Sequence, residues 1–169
     1  MRAKTVIPNT FQDFYDIAPE EIKDYLNRCA KTPQSKTWHP EGDCLTHIKI
    51  VFNRAKRTGN INFMLSALFH DLGKADVTRQ HPTMPGKWGA KMHELVSARL
   101  VTKYRDWIES LGGDYDIIYY IVDQHMRVKH MHEMRPSKRE AILSHPYYDL
   151  INQFTEFDNM QTDYSNDID

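Results

Sequence analysis

Six side chains able to bind a metal ion fall on or beside the apolar faces of helical stretches in this sequence: His47, His70, Asp71, His93, His125 and Asp158. The adjacent pair His70-Asp71 closes the run Phe63-Met-Leu-Ser-Ala-Leu-Phe69, which has no polar face. A helix of that kind is buried. Successive helical residues point about 100° apart, so this imidazole and carboxylate can converge only on something lying between them. Desolvating both is costly without a partner. A divalent cation is a partner that suits both side chains. Taken alone, the dipeptide favours a plainer reading, a buried His–Asp hydrogen bond.

The other four residues change the balance. Cys44, Ile48, Val51, Phe52 and Ala55 recur at i, i+4, i+7, i+8 and i+11, and His47 lies on the inward side of that helix. His93 shares a face with Val96, Ser97 and Leu100, and His125 a side with Ile118, Ile121 and Val122. In the last helix Leu150, Ile151, Phe154, Phe157 and Asp158 form the inward stripe, which puts a carboxylate where charge needs a reason. One inward histidine is unremarkable. Six metal-capable residues from five successive helices are hard to treat as independent accidents, and a helical bundle brings such side chains together in its interior. Nitrogen and oxygen donors without sulfur suit Mn, Mg, Fe, Co, Ni or Zn and do not select among them.

The elements that would position these groups are all helical. Ala18-Pro19-Glu20-Glu21 starts a helix carrying Ile22, Tyr25, Leu26 and Cys29, after an extended or irregular lead-in over Met1–Asp16. Asp43 caps the helix of His47, and Gly59 ends it. Gly73 is a stop signal for the His70-Asp71 helix. Residues 75–92, with Pro82, Pro85, Gly86 and Gly89, form a long connection that could close as a lid, on which Lys87 and Lys91 could meet an anionic substrate. A helix from about Ala90 runs through Tyr104, Trp107, Ile108 and Leu111 to Gly112-Gly113. Asp114 caps the next, Pro136 starts a short one ending near Leu143, and Pro146 starts the last. The tail from Asn159 is polar and acidic and is expected to fray. No alternating β-branched run occurs, so the fold class is all-α, a single-domain helical bundle.

Composition bounds the function. The chain has 169 residues, 40% hydrophobic and 27% charged, enough for one core. A net charge of −1 supplies no bulk cationic field for duplex DNA or membranes. Cys29 and Cys44 lack metal or redox spacing and read as reduced thiols of a cytoplasmic protein. No apolar stretch reaches the roughly 18 residues a membrane span needs. The cationic segment Arg127, Lys129, His130, His132, Arg135 reads mainly as solvated surface, with one or two residues free to contact a phosphate.

The order His47 … His70-Asp71 … Asp158 resembles the signature of the HD superfamily of metal-dependent phosphohydrolases. His39-Pro40-Glu41-Gly42-Asp43 before Thr46-His47, the word His70-Asp71-Leu72-Gly73-Lys74, and His93-Glu94 followed by Ser97-Ala98 are most similar to the HD domain attached to bacterial tRNA nucleotidyltransferases. The resemblance covers residues 37–160, with an N-terminal extension of one helix at 1–36 and an acidic tail at 161–169. It implies a free-standing HD-type bundle with a divalent metal on His47, His70, Asp71 and Asp158. Asp163 is an alternative last ligand, against which helical phase favours Asp158. Histidines at the positions of His93 and His125 imply a second ion, with Asp71 bridging. The implied chemistry is phosphoester hydrolysis by metal-bound hydroxide, with Asp71 and Lys74 catalytic. Lys74, Arg127 and Lys129 would bind substrate, and Glu94 would orient a ligand. For Lys74, a salt bridge at the helix end competes with that role. The expected substrates are nucleotide or RNA-terminal phosphoesters, cleaved by a nucleotidase, phosphatase or 2′,3′-cyclic phosphodiesterase. A deoxynucleoside triphosphate hydrolase and a nucleotide-binding module without turnover are the alternatives.

Overall fold

The computed structural model describes residues 7–168. The first six residues of the expected lead-in and the last residue of the tail lie outside this range. In chain order the elements are α1 (Phe11–Ile17), α2 (Glu20–Cys29), α3 (Cys44–Lys56), α4 (Ile61–Phe69), α5 (Lys74–Val77), β1 (Arg79–Gln80), β2 (Trp88–Gly89), α6 (His93–Lys103), α7 (Arg105–Ser110), α8 (Tyr115–Lys129), α9 (Pro136–Leu143) and α10 (Tyr148–Phe157). A 3-10 turn, Met131–Glu133, follows α8. The protein is a helical domain whose core runs from Phe14 through Phe52, Leu68 and Val122 to Phe154.

The apolar run becomes the central helix. In α4 every residue from Phe63 to Phe69 is buried, with α3, α6 and α8 packed around it. Asp43 caps α3 by accepting from Thr46 N–H at 2.9 Å, and Asp114 caps α8 by accepting from the backbone of Asp116 and Ile117. These caps start α3 and α8 where the sequence places them. Among the described residues no helix is long and apolar enough to cross a membrane.

Several expectations need correction. The lead-in contains α1, because Thr10 and Asp13 form a reciprocal capping box and Phe14 packs edge-on against Phe52. Residues 75–92 are more ordered than a bare loop: α5 is followed by a two-stranded antiparallel hairpin pairing Arg79 with Gly89 and Gln80 with Trp88. The helix expected from Ala90 to Leu111 starts at His93 and breaks at Tyr104 into α6 and α7. The last helix starts at Tyr148 rather than Pro146. The tail is docked as far as Asp167, which is buried. Arg54 of α3, itself buried, donates from Nε to Asp167 Oδ2 at 3.0 Å and from Nη1 to the carbonyls of Phe157 (2.8 Å) and Asn159 (2.9 Å). Arg57 joins Asp167 from the other side. A polar composition concealed this clasp, because its strongest partner is a single arginine more than a hundred positions earlier.

Gly73 has a role other than stopping a helix. A β-carbon there would lie 2.2 Å from the His93 carbonyl oxygen and 2.8 Å from Val96 Cβ. Its N–H donates to the buried Ser97 Oγ at 2.9 Å. The first turn of α6 therefore rests directly on the backbone beside Asp71, and this contact brings His93 to the site. Gly73→Ala must push α6 away. Urea denaturation is expected to show a loss of about 1–3 kcal/mol, and Gly89→Ala, where a β-carbon meets nothing, should cost much less.

Candidate metal centre

All six inward residues expected from the sequence are buried, and they meet. One donor atom each from His47, His70, Asp71 and Asp158 lie within 4.8 Å of one another, as do donors from Asp71, His93 and His125. Asp71 belongs to both sets. Its Oδ2 is 3.2 Å from His47 Nε2 and 3.3 Å from His70 Nε2, while its Oδ1 is 2.9 Å from His93 Nε2 and 3.5 Å from His125 Nε2. Asp158 Oδ1 closes the first set, 2.7 Å from His47 Nε2 and 3.3 Å from His70 Nε2. Asp163 lies at the surface, where it accepts from Ser165 N–H; Asp158 is the carboxylate that joins the cluster.

The imidazoles are held in one way. Each engages an oxygen through Nδ1 and aims Nε2 inward: His70 at the Ala67 carbonyl (2.7 Å), His93 at Ala90 (2.9 Å) and His125 at Val122 (2.7 Å). His47 uses a side chain, with Nδ1 donating to Glu41 Oε1 at 2.8 Å. Such contacts fix the tautomer and leave Nε2 as the ligand atom. The result is two pairs of facing Nε2 atoms, His47–His70 and His93–His125, each 3.3 Å apart. With both Nδ1 hydrogens of the second pair given to carbonyls, its Nε2 lone pairs face each other and Asp71 Oδ1. A proton or a cation between them relieves that repulsion, so the donor set fits a divalent ion. In His125, burial lowers the pKa to about 4, so the ring is neutral and its lone pair available.

Glu41 is the partner that sequence reasoning missed, although it stands in the His39-Pro40-Glu41-Gly42-Asp43 stretch. Its side chain is fully enclosed and Oε1 accepts from both His39 and His47. Burial works to raise its pKa, but these two histidines prevail and hold it near 2. The expected orienting residue, Glu94, is 3.8 Å from His93 Nδ1, whose hydrogen goes to Ala90 instead.

Electrostatics favour the charged forms of the carboxylates. Burial opposes ionisation of Asp71 and Asp158, yet both stay well below the usual range, Asp71 through His70 and Lys74, Asp158 through Lys129 and His70. Burial likewise opposes the charge on His47, but Asp158, Asp71 and Glu41 raise its pKa to about 10. Without a metal ion its ring is an imidazolium donating to Glu41 and Asp158.

The expected substrate contacts divide. Lys74 Nζ is 3.0 Å from Asp71 Oδ2 and donates to Gln34 Oε1 at 2.9 Å, so the salt bridge is present, and Lys74 also lines a cavity of about 630 Å³ that opens over Asp158 and His93. Lys129 lines the same cavity and pairs with Asp158 Oδ2. Arg127, Lys87 and Lys91 are exposed, and among the described residues the cavity wall is made by others.

With this geometry in hand, the comparisons place the chain at a distance from known proteins. It is 28% identical over 114 residues to the multifunctional CCA protein of Vibrio campbellii, covering 66% of this chain and 27% of that one. It is 27% identical over 142 residues to the multifunctional CCA proteins of two Vibrio vulnificus strains, covering 75% of this chain and 33% of each of those. The chain thus spans a third or less of the length of the curated relatives it matches. No family model matches it. No solved structure matches it significantly.

Two outcomes follow. Glu41→Gln should weaken divalent-metal affinity about 10- to 100-fold, read by titration of the metal-free protein with Mn, and urea denaturation of that protein should show a loss of stability, because the buried His47 imidazolium loses a charged partner. A metal ion taking His47 Nε2 must displace the proton held there below pH 10. Calorimetry near pH 8 in buffers of differing ionisation enthalpy should therefore show proton release, with affinity rising with pH.

Proposed function

We propose that this protein is an HD-type metal-dependent phosphohydrolase acting on nucleotide or RNA-terminal phosphoesters. The observation that carries the reading is Asp71, whose two oxygens each face a separate pair of imidazoles beneath a cavity bordered by two lysines. A structural His–Asp pair would need one such neighbour. His47, His70, Asp71 and Asp158 would hold one divalent ion, and His93, His125 and the other oxygen of Asp71 a second. Such ions supply an activated water and take up charge developing on phosphoryl oxygens.

The chain's own groups prepare the site. The four Nδ1 contacts hold the imidazoles in register before substrate arrives. Burial works against the charge of Lys74, but Asp71 raises its pKa, so the ammonium is present across the neutral range and offers a point charge to a phosphate oxygen. Lys129, paired with Asp158 Oδ2, offers a second point charge in the same cavity. The resemblance to HD domains attached to tRNA nucleotidyltransferases, and the distant similarity to multifunctional CCA proteins, support a nucleotide or RNA-end substrate. Mono- and diester cleavage are both compatible with the site.

The test is a panel of nucleoside monophosphates and triphosphates, 2′,3′-cyclic nucleotides and bis-p-nitrophenyl phosphate, assayed with Mn, Ni, Co, Mg, Fe or Zn. At least one phosphoester is expected to turn over only with metal. Asp71→Ala should lower kcat by more than about 100-fold and lose bound metal. A variant with full activity would overturn the assignment. Lys129→Ala is expected to raise KM about tenfold with metal content unchanged, as loss of a charge-assisted contact does.

A further inference from the structure

The cavity is too large for the cluster alone. At about 630 Å³ it matches pockets that bury a whole small molecule, whereas the cluster contributes only His93 and Asp158 to its lining, beside the two lysines. Its wall holds two tryptophans, Trp38 and Trp88. Trp38 is 69% exposed, which leaves its ring accessible to a partner that stacks.

Both tryptophans are held by one residue. The Ser35 carbonyl accepts from the N–H groups of Trp38 (3.2 Å) and His39 (2.9 Å). Its hydroxyl accepts from Trp88 N–H at 2.8 Å and donates to the Trp88 carbonyl at 2.9 Å. Ser35 therefore ties the turn bearing Trp38 to the hairpin strand bearing Trp88. His39, His93 and Asp158 line the same cavity. An aromatic lining in the same cavity as His93, Asp158 and two lysines suits one kind of ligand, a planar base attached through a sugar to a phosphate.

Resting on the phosphohydrolase reading, we infer that Trp38 and Trp88 form the base-binding wall of the substrate cavity. Recognition is by stacking, so the protein takes the unpaired base of a nucleotide or single-stranded RNA end with little preference among bases. A base pair in the interior of a duplex, covered on both faces, is excluded. Ser35 is a positioning residue for this wall.

Binding of two non-hydrolysable probes to the Mn-loaded full chain tests this: the methylene phosphonate analogue of AMP, and methylphosphonate, which keeps the charged head and lacks a base. The nucleoside phosphonate is expected to bind at least about tenfold more tightly, and Trp38→Ala or Trp88→Ala to cut that preference about 5- to 150-fold, the loss of one base–aromatic stack. Trp38→Phe should retain most of it, and Ser35→Ala should lower it by a smaller factor. Methylphosphonate affinity should stay unchanged in all four. Equal binding of the two probes by the wild-type chain, or a preference unaffected by both alanine variants, would overturn the inference, as would failure of the nucleoside phosphonate to bind. If Trp38→Ala instead changed only the oligomeric state in sedimentation, the residue would belong to a protein contact. Failure of the phosphohydrolase reading looks different: no phosphoester turns over, while a tryptophan-dependent base preference persists.

Discussion

A carboxylate buried among four imidazoles is the interaction on which the rest of this structure turns. Asp71 is nearly inaccessible, and removing its charge from water would be unfavourable unless positive charge surrounded it. Lys74, the His47 imidazolium and, beyond Asp158, Lys129 provide that charge without a metal ion. The arrangement is poised: protons occupy positions that a divalent ion would take, and the same histidines serve either occupant. A site organised this way is held open by its own electrostatics, and its imidazoles need not reorient when an ion binds.

Convergence on Asp71 explains much of the surrounding architecture. Helix α4 is buried from Phe63 to Phe69 because its end must deliver His70 and Asp71 into the middle of the domain. Backbone carbonyls three residues earlier in the chain, Ala67, Ala90 and Val122, serve as hydrogen-bond acceptors for three of the rings, so most of the orientation comes from local backbone geometry. Cys44 and Cys29 donate weakly to the carbonyls of Asp71 and Leu72. There a small, weakly polar side chain fills space without introducing another charge.

The inward residues were legible in the sequence because helical period alone places His47, His93, His125 and Asp158 on buried faces, and the caps Asp43 and Asp114 set the phase. Period also separated Asp158 from Asp163. What stayed hidden depends on contacts between distant parts of the chain. Glu41 reads as an ordinary turn residue until α3 folds back over it. The value of Gly73 lies in how closely α6 approaches, which no local pattern records. The break at Tyr104, where the backbone leaves helical values, preserves the apolar sequence pattern, so periodicity runs through it unmarked. Pairing of Trp88 with Gln80 depends on two residues on each side, too short a signal for alternation to reveal.

The clasp around Arg54 gives the C-terminal segment a standing its composition conceals. One guanidinium gathers the carbonyls of Phe157 and Asn159, which flank Asp158, together with the carboxylate of Asp167. Helix α3, which carries His47, is thereby fastened to the chain on either side of the last carboxylate of the cluster. A minimal domain cut after residue 160, where sequence resemblance ends, would strand a buried cation and loosen the wall formed by Asn159, Met160 and Gln161. The counter-ion that closes the described fold, Asp167, thus lies seven residues beyond residue 160.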